Sequence, residues 1–343
     1  MKTLIHTCIL IFTTLNLSAV EVTKEIKKEI STKKLTEIFV NNHFGDIEII
    51  QVDTENISFE ALVKAEAKST YEADETLKLV DVSLSDIADL LKIECKYDGK
   101  LLIDNIFKRI DIDVDLKIKI PKKLKLKIDG AKGTVLMNTF YGDLDITLNN
   151  AHITAKKISG GTFVLKQTKG ECEINFVSDI IADIKNVEMN ITDISTARIT
   201  ASLSNISIGD AEILEMNTSG GTCKVNYVDR INGKSSLTKY TIETLAEVFD
   251  MEMKMGEMNI RRVMKMFSNI NLKSSFTKLG FSFEQGAGYD LTINHNKMAK
   301  IDLPFKVSES IKDKRYIKTT FVGDKTYKGS VELNINSGNL FIQ

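Results

Sequence analysis

No tryptophan and only two prolines, Pro121 and Pro304, occur in the 343 residues. No stretch is rich in Pro or Ser, which excludes the common kinds of linker and predicts continuous stacking in place of hinged domains. Cysteine is also scarce. Cys8 lies near the N-terminus, and the other three, Cys95, Cys172 and Cys223, are odd in number and widely spaced. That pattern fits neither a disulfide framework nor a zinc site; it predicts buried free thiols, with a single disulfide as the alternative. Neither sign of charge predominates, since 46 Lys and Arg face 47 Asp and Glu for a net charge of -1. A nucleic-acid partner, which needs a basic face, is therefore not expected.

The first residues read "MKTLIHTCILIFTTLNLSAVEV". Lys2 supplies a positive start, Leu4 to Leu17 is mostly apolar and uncharged, and Ser18 and Ala19 are small. This predicts a secretory signal peptide at 1–19 with cleavage after Ala19. A retained anchor is the alternative, but the run is short for the ~20 residues of a spanning helix. Cys8 lies too early for lipid attachment, with Thr7 before it. No later apolar run approaches spanning length, so no transmembrane segment is expected after cleavage. The expected location is the periplasm, the outer membrane's surface, or the cell exterior.

What the chain does contain is short strand-like segments. At 43% hydrophobic and 27% charged it can bury a core. "RIDIDVDLKIKI" (109–120) alternates strictly: Ile110, Ile112, Val114, Leu116, Ile118 and Ile120 share one face, with Asp and Lys on the other. Period two over that length predicts a half-buried strand, stopped by Pro121. Apolar-alternating runs then recur about every 8–11 residues, each ending in Gly, Asn, Asp or Ser. "GECEINFV" (170–177) matches "GTCKVNYV" (221–228) at an offset of 51, and "SGGT" occurs at 159–162 and 219–222, an offset of 60. Unequal offsets indicate an irregular repeat. The expected fold is all-β, an irregular right-handed parallel β-solenoid, with a multi-sheet antiparallel β-protein as the alternative. The expected divisions after the signal are an N-terminal β-strand region at 20–120, central repeats at 121–304 and a C-terminal capping segment at 305–343.

Three stretches carry a resemblance to a known family: "VNNHFGDIEI", "IPKKLKLKIDGAKGTVLMNTFYGDLDI" and "YKGSVELNINSGNLFI". They resemble secreted bacterial β-strand-repeat proteins that are named adhesins from their architecture and form a domain of unknown function. The likeness spans roughly residues 25–343. It implies stacked coils of a right-handed β-solenoid. The Met-rich stretch at 251–266 departs from the family pattern, because Gly/Asp turn punctuation is missing there.

Candidate chemistry is thin. Asp111, Asp113 and Asp115 stand in a row, but same-face strand neighbours lie about 6.5–7 Å apart, too far to share one calcium ion. Met251, Met253 and Met255 share a strand face without a nearby His or Cys, which predicts core packing over Cu(I) binding. Both "SGGT" sequences run into strands, so they are turns and not phosphate loops. His43, His152 and His295 are dispersed, and neither GxSxG nor HExxH is present. No catalytic residue, cofactor or metal is expected. The predicted function is a non-enzymatic envelope or secreted adhesin or scaffold binding an extended glycan or protein. A polysaccharide-active β-helix enzyme and a periplasmic structural or regulatory protein are the alternatives.

Two similar units, "NHFGDIEI" (42–49, with Asn42) and "NTFYGDLDI" (138–146), raise the question of a duplicated site. The expected answer is structural. Gly45 and Gly142 supply positive φ, Asp46 and Asp143 hydrogen-bond the turn backbone, and Gly170 and Gly221 punctuate the later repeats.

Overall fold

The computed structural model describes residues 19–97, 111–130 and 132–343. The expected signal peptide, except for Ala19, and the first two residues of the alternating run lie outside the described residues. The N-terminal part holds β1 (Val20–Ser31), β2 (Glu37–Asn42), β3 (Ile47–Val52), β4 (Asn56–Ala67), helix α1 (Thr70–Leu77), β5 (Val80–Ile87) and β6 (Leu90–Tyr97). β7 (Asp111–Pro121), β8 (Lys125–Gly130), β9 (Thr134–Tyr141), β10 (Leu144–Ser159) and β11 (Phe163–Lys254) follow. The remainder is β12 (Glu257–Val263), β13 (Asn269–Ser275), β14 (Thr277–Phe283), β15 (Tyr289–His295) and β16 (Ala299–Asp302). It closes with β17 (Ser308–Lys312), β18 (Arg315–Val322), β19 (Gly329–Ile335) and β20 (Gly338–Ile342).

The alternating run behaves as its period requires. In β7, Val114, Leu116, Ile118 and Ile120 are buried while Asp111 is exposed. α1 was not foreseen in the sequence. Ser69 caps it by accepting a hydrogen bond from Glu72 N at 3.3 Å, and Ala73, Thr76 and Leu77 are buried where it packs on β1 and β4.

β11 cannot be a straight strand, since 92 extended residues would run about 300 Å. Instead it returns upon itself. Ser204 Oγ accepts from Val187 N, Arg198 pairs with Glu215, and Ser236 bonds Ser219, each across 17 residues. The same parallel succession extends to either side at slightly larger spacing. Leu126 pairs with Leu144 and Leu144 with Phe163, steps of 18 and 19 residues. Lys239 pairs with Glu257 at 18, and Lys254 with Ser275 at 21. The offset of 51 in the sequence is thus three periods of 17. Cys172, Met189, Ile206, Cys223 and Tyr240 succeed one another at that interval, all buried. Full burial of such side chains is worth roughly 1.5–3 kcal/mol each. The "SGGT" offset of 60 is no multiple of 17, and the two copies sit in different turns: Gly161 stands against Gly142 and Asp143, but Gly221 against Ser204.

Both ends depart from parallel order. β1 pairs antiparallel with β4, β4 with β7, and β5 with β6; at the other end β15 and β17 flank β18 antiparallel. The architecture is therefore all-β with one large mixed sheet and a single short helix among the described residues. The multi-sheet alternative accommodates these antiparallel hairpins, which a purely parallel stack does not. β2 and β3 pair with β8 and β9 across residues 120/121, and β13 and β14 pair with β19 and β20 across 304/305. The segment expected as a cap supplies inner strands: β19 lies between β13 and β15, and β20 between β14 and β16.

Candidate functional site

The two Gly-Asp units do the same job by a route the sequence concealed. Asp46, between β2 and β3, accepts a hydrogen bond through Oδ1 from Thr134 N at 2.6 Å. Asp143, between β9 and β10, accepts one through Oδ1 from Thr162 N at 3.1 Å. Each carboxylate ties its turn to the neighbouring strand layer, 88 and 19 residues away, where the sequence had predicted a bond within its own turn. Asn42 is buried, donates to Val114 O at 2.7 Å and accepts from Phe44 N at 3.2 Å. Gln51 clamps Tyr141 from both sides, donating to its carbonyl and accepting from its N–H at 2.9 and 2.6 Å.

The glycines divide by cause. Gly142 has φ +122°, as expected, with nothing nearer to an added Cβ than Lys122 O at 3.8 Å. Gly45 does not share that conformation. It is glycine because a Cβ would meet the Asp113 carboxylate and Val114 O. Gly170 (φ +107°) and Gly221 (φ +90°) combine both constraints, each pressed against a carbonyl, of Ala151 and Ser204 respectively. Phe140, Ile47, Ile49, Leu144 and Ile146 are in the core, while Phe44 is half-buried beside Tyr97 and Tyr141 is exposed over Gly160.

Two concavities offer room for a ligand. One, about 510 Å³, lies on the face formed by β1, β4, β7, β3 and β9, with Glu25, Asp46, Glu48, Glu60 and Asp115 along it. Its carboxylates are largely matched: Glu25 with Lys27 at 2.6 Å, Glu48 with Lys117 at 2.9 Å, and Asp115 with Lys64. Asp113 beside them is raised above its ordinary carboxyl value, by burial first and then by the Asp115 charge. Of the acidic row, Asp113 and Asp115 are ion-paired with Lys64 from the adjacent β4, while Asp111 is exposed. The second concavity, about 600 Å³, runs along β11. Ser202, Ser219 and Ser236, 17 residues apart, line it with Lys185, Asn217 and Lys234. Beneath them a buried network joins Thr218 to Ser235 at 3.1 Å and to the Tyr240 hydroxyl at 2.9 Å. The sequence reading missed this groove, because its period shows only once the 17-residue return is known.

The remaining candidates do not converge. His152 lies 3.5 Å from Glu171, and His295 stacks on Tyr316 with Nδ1 against Asn296 O at 3.0 Å. His43 has a buried Nδ1 with no hydrogen-bond partner among the described residues. Cys95, Cys172 and Cys223 are free and buried, and burial pushes each thiol up to about 12. Cys172 and Cys223, three strand spacings of ~4.8 Å apart, are beyond disulfide reach. Met251 and Met253 are core as predicted, but Met255 is turned outward at φ +50°. Among the described residues no three His, Cys, Asp or Glu gather as metal ligands, and no helix is long and apolar enough to cross a membrane.

Neither a family model nor a curated protein sequence matches the chain. Solved structures similar to it include the following three. A "putative adhesin" from Parabacteroides merdae is 12% identical with a TM-score of 0.41, over 74% of this chain and 96% of that one. A "putative cell adhesion protein" from Clostridium sporogenes is 9% identical with a TM-score of 0.21, over 94% and 99%. A "putative lipid binding protein" from Parabacteroides distasonis is 14% identical with a TM-score of 0.28, over 74% and 92%. Likeness at that level carries no functional argument.

Proposed function

We propose that the protein is an exported, non-enzymatic adhesin or scaffold whose parallel region is wound as a right-handed solenoid and holds an extended ligand along β11. The observation that carries this reading is the polar ladder on its outer surface. Ser219 and Ser236 (3.3 Å), Asn205 and Thr222 (2.9 Å), Arg198 and Glu215 (2.8 Å), and Arg230 and Glu247 (2.7 Å) each join residues 17 apart. Polar groups repeated at about 4.8 Å suit a partner that is itself extended, a glycan or a peptide, held by many weak contacts. Reaction chemistry finds less support. General acid–base work requires two positioned groups with separated pKa values, and the acidic face spends its carboxylates on lysines.

The test is a glycan and matrix-protein binding screen on the folded protein, repeated with Ser219→Tyr and Ser236→Tyr. Binding to an extended ligand, lost in both variants at unchanged melting temperature, is the expected result. Turnover of a polysaccharide, or binding indifferent to both substitutions, would overturn the reading. Protease shaving of intact cells addresses location: a fully protected protein would end the surface version.

A further inference from the structure

One corner of the parallel region is held in left-handed backbone layer after layer, in part by residues that neither conformation nor exposure favours. Asn150, Lys169, Asn186, Leu203, Gly220, Leu237, Met255 and Phe276 all have φ between +50° and +76°. The registers place them in one column. Ala151 pairs with Gly170, Gly221 abuts Ser204, Lys239 pairs with Glu257, and Lys254 pairs with Ser275. Thr277 pairs with Gly338 and Gly338 with Ala299, which carries the column on through Ser337 to Met298. Asn and Gly are the residues this conformation accepts most readily, and they occupy three of the column's first five places. Beyond Asn186 the column reads Leu, Gly, Leu, Met, Phe, Ser and Met, apolar at five of its seven places. These side chains point out: Leu203 is 62% exposed, Leu237 61%, Met255 52%, Phe276 64% and Met298 68%. At ~4.8 Å per step the ridge from Leu203 to Met298 is about 29 Å long.

The surroundings are as one-sided as the ridge. Within three residues of its positions stand Lys234, Lys239, Lys254, Lys273, Lys278, Lys297 and Lys300, against Glu252 and Glu257 alone. Glu252 pairs with Lys234 and Lys254, and Glu257 with Lys239 and Lys278. Lys273, Lys297 and Lys300 form no ion pair among the described residues. Seven lysines to two glutamates contrasts with a whole-chain net charge of -1.

We infer that this corner docks on an anionic lipid bilayer, the apolar ridge entering the interface and the lysines meeting headgroup phosphates. The ridge is one side chain wide, roughly 10 Å, so it offers on the order of 300 Å², well short of the ~800 Å² per partner of a stable protein interface. A convex edge needs a yielding partner, and the headgroup region yields. Apolar side chains rimmed by lysine are the combination that binds such surfaces. The inference concerns the corner and does not depend on the groove holding a glycan or peptide.

The absence of tryptophan supplies the assay. In the full chain, Phe276→Trp places a single reporter on the ridge, and Tyr71→Trp, on the exposed face of α1, serves as the control. Vesicles of phosphatidylcholine alone, or mixed with phosphatidylglycerol, carry brominated acyl chains as quenchers. The ridge reporter is expected to shift blue and lose roughly half its emission on the mixed vesicles only, reversibly with salt, while the control stays unchanged. Leu203→Asn, Leu237→Asn and Met255→Asn, combined with the reporter, should weaken the effect about tenfold or more without lowering the melting temperature, since Asn suits the left-handed conformation. Lys273→Gln, Lys297→Gln and Lys300→Gln should weaken it through charge alone. An unquenched ridge reporter, equal quenching in the Asn variant, or a ridge-dependent dimer by sedimentation would each overturn the inference.

Discussion

Replacing glycine by alanine at two positions separates the two reasons for a glycine. Gly286 has φ +85° and no atom within 4 Å of an added Cβ, so Gly286→Ala meets conformational strain alone. For an L-residue in the left-handed region that is about 1–2 kcal/mol. Gly170 has φ +107°, and its Cβ would also lie closer than 3.0 Å to the Ala151 carbonyl oxygen, a separation real Cβ atoms essentially never show. Ala151 is the parallel partner of Gly170, so the carbonyl cannot retreat without disturbing the ladder between β10 and β11. Overpacking of that kind adds about 1–3 kcal/mol, for a total near 2–5 kcal/mol. The assay is urea unfolding followed by far-ultraviolet circular dichroism, with the transition midpoint compared at constant slope. Gly170→Ala should lose about twice the stability of Gly286→Ala. If the two are equally mild, close approach between layers does not explain the glycine at 170, and the register drawn there is wrong.

Four shorter tests follow from the same geometry. Asp143→Asn, which keeps an acceptor for Thr162 N, should be nearly silent for stability and binding, whereas Asp143→Ala should cost about 1–3 kcal/mol in chemical unfolding. Phe249→Ala, emptying a fully buried site beside Phe281, should cost about 3–5 kcal/mol. Cys95, Cys172 and Cys223 should resist iodoacetamide at pH 8 until the protein is denatured, as burial raises each thiol to about 12. Asp113→Asn should raise the melting temperature at pH 7. Its carboxyl is raised in the folded state, so below the unfolded value both states are protonated and nothing is lost, while stability falls as pH rises from the unfolded value through the folded one. The gain should therefore vanish near pH 3.

The strand character of this chain was written plainly, because period two needs no tertiary knowledge. β7 shows it best, and the Gly-Asp units lie between strands. The 17-residue return was not legible, although the 51-residue echo contains it three times over. Its marker is a column of left-handed corners, and those hold Asn, Lys, Leu, Met and Phe as readily as Gly. A corner that is not glycine leaves no punctuation. The same fact misplaced Met255, whose alternation with Met251 and Met253 counted it as core when it begins a new layer. The antiparallel hairpins at each end alternate no differently from parallel strands, and partner direction is a long-range property that local pattern does not encode. The reach of Asp46 to Thr134, 88 residues on, was hidden for the same reason.

The position of β19 and β20 bears on how the chain can reach this state. They are the middle course of a wall whose outer course, β15 and β16, precedes them in the sequence. Until residues 329–342 have emerged, β15 has only its hairpin partner β18, β16 has no partner among the described strands, and β13 and β14 each present an open edge ready to pair with any passing strand. Completion of this end must therefore wait for residues 329–342. A chain threaded N-terminus first through any narrow opening would keep that end loose until those strands had passed, and would then close it in one late step.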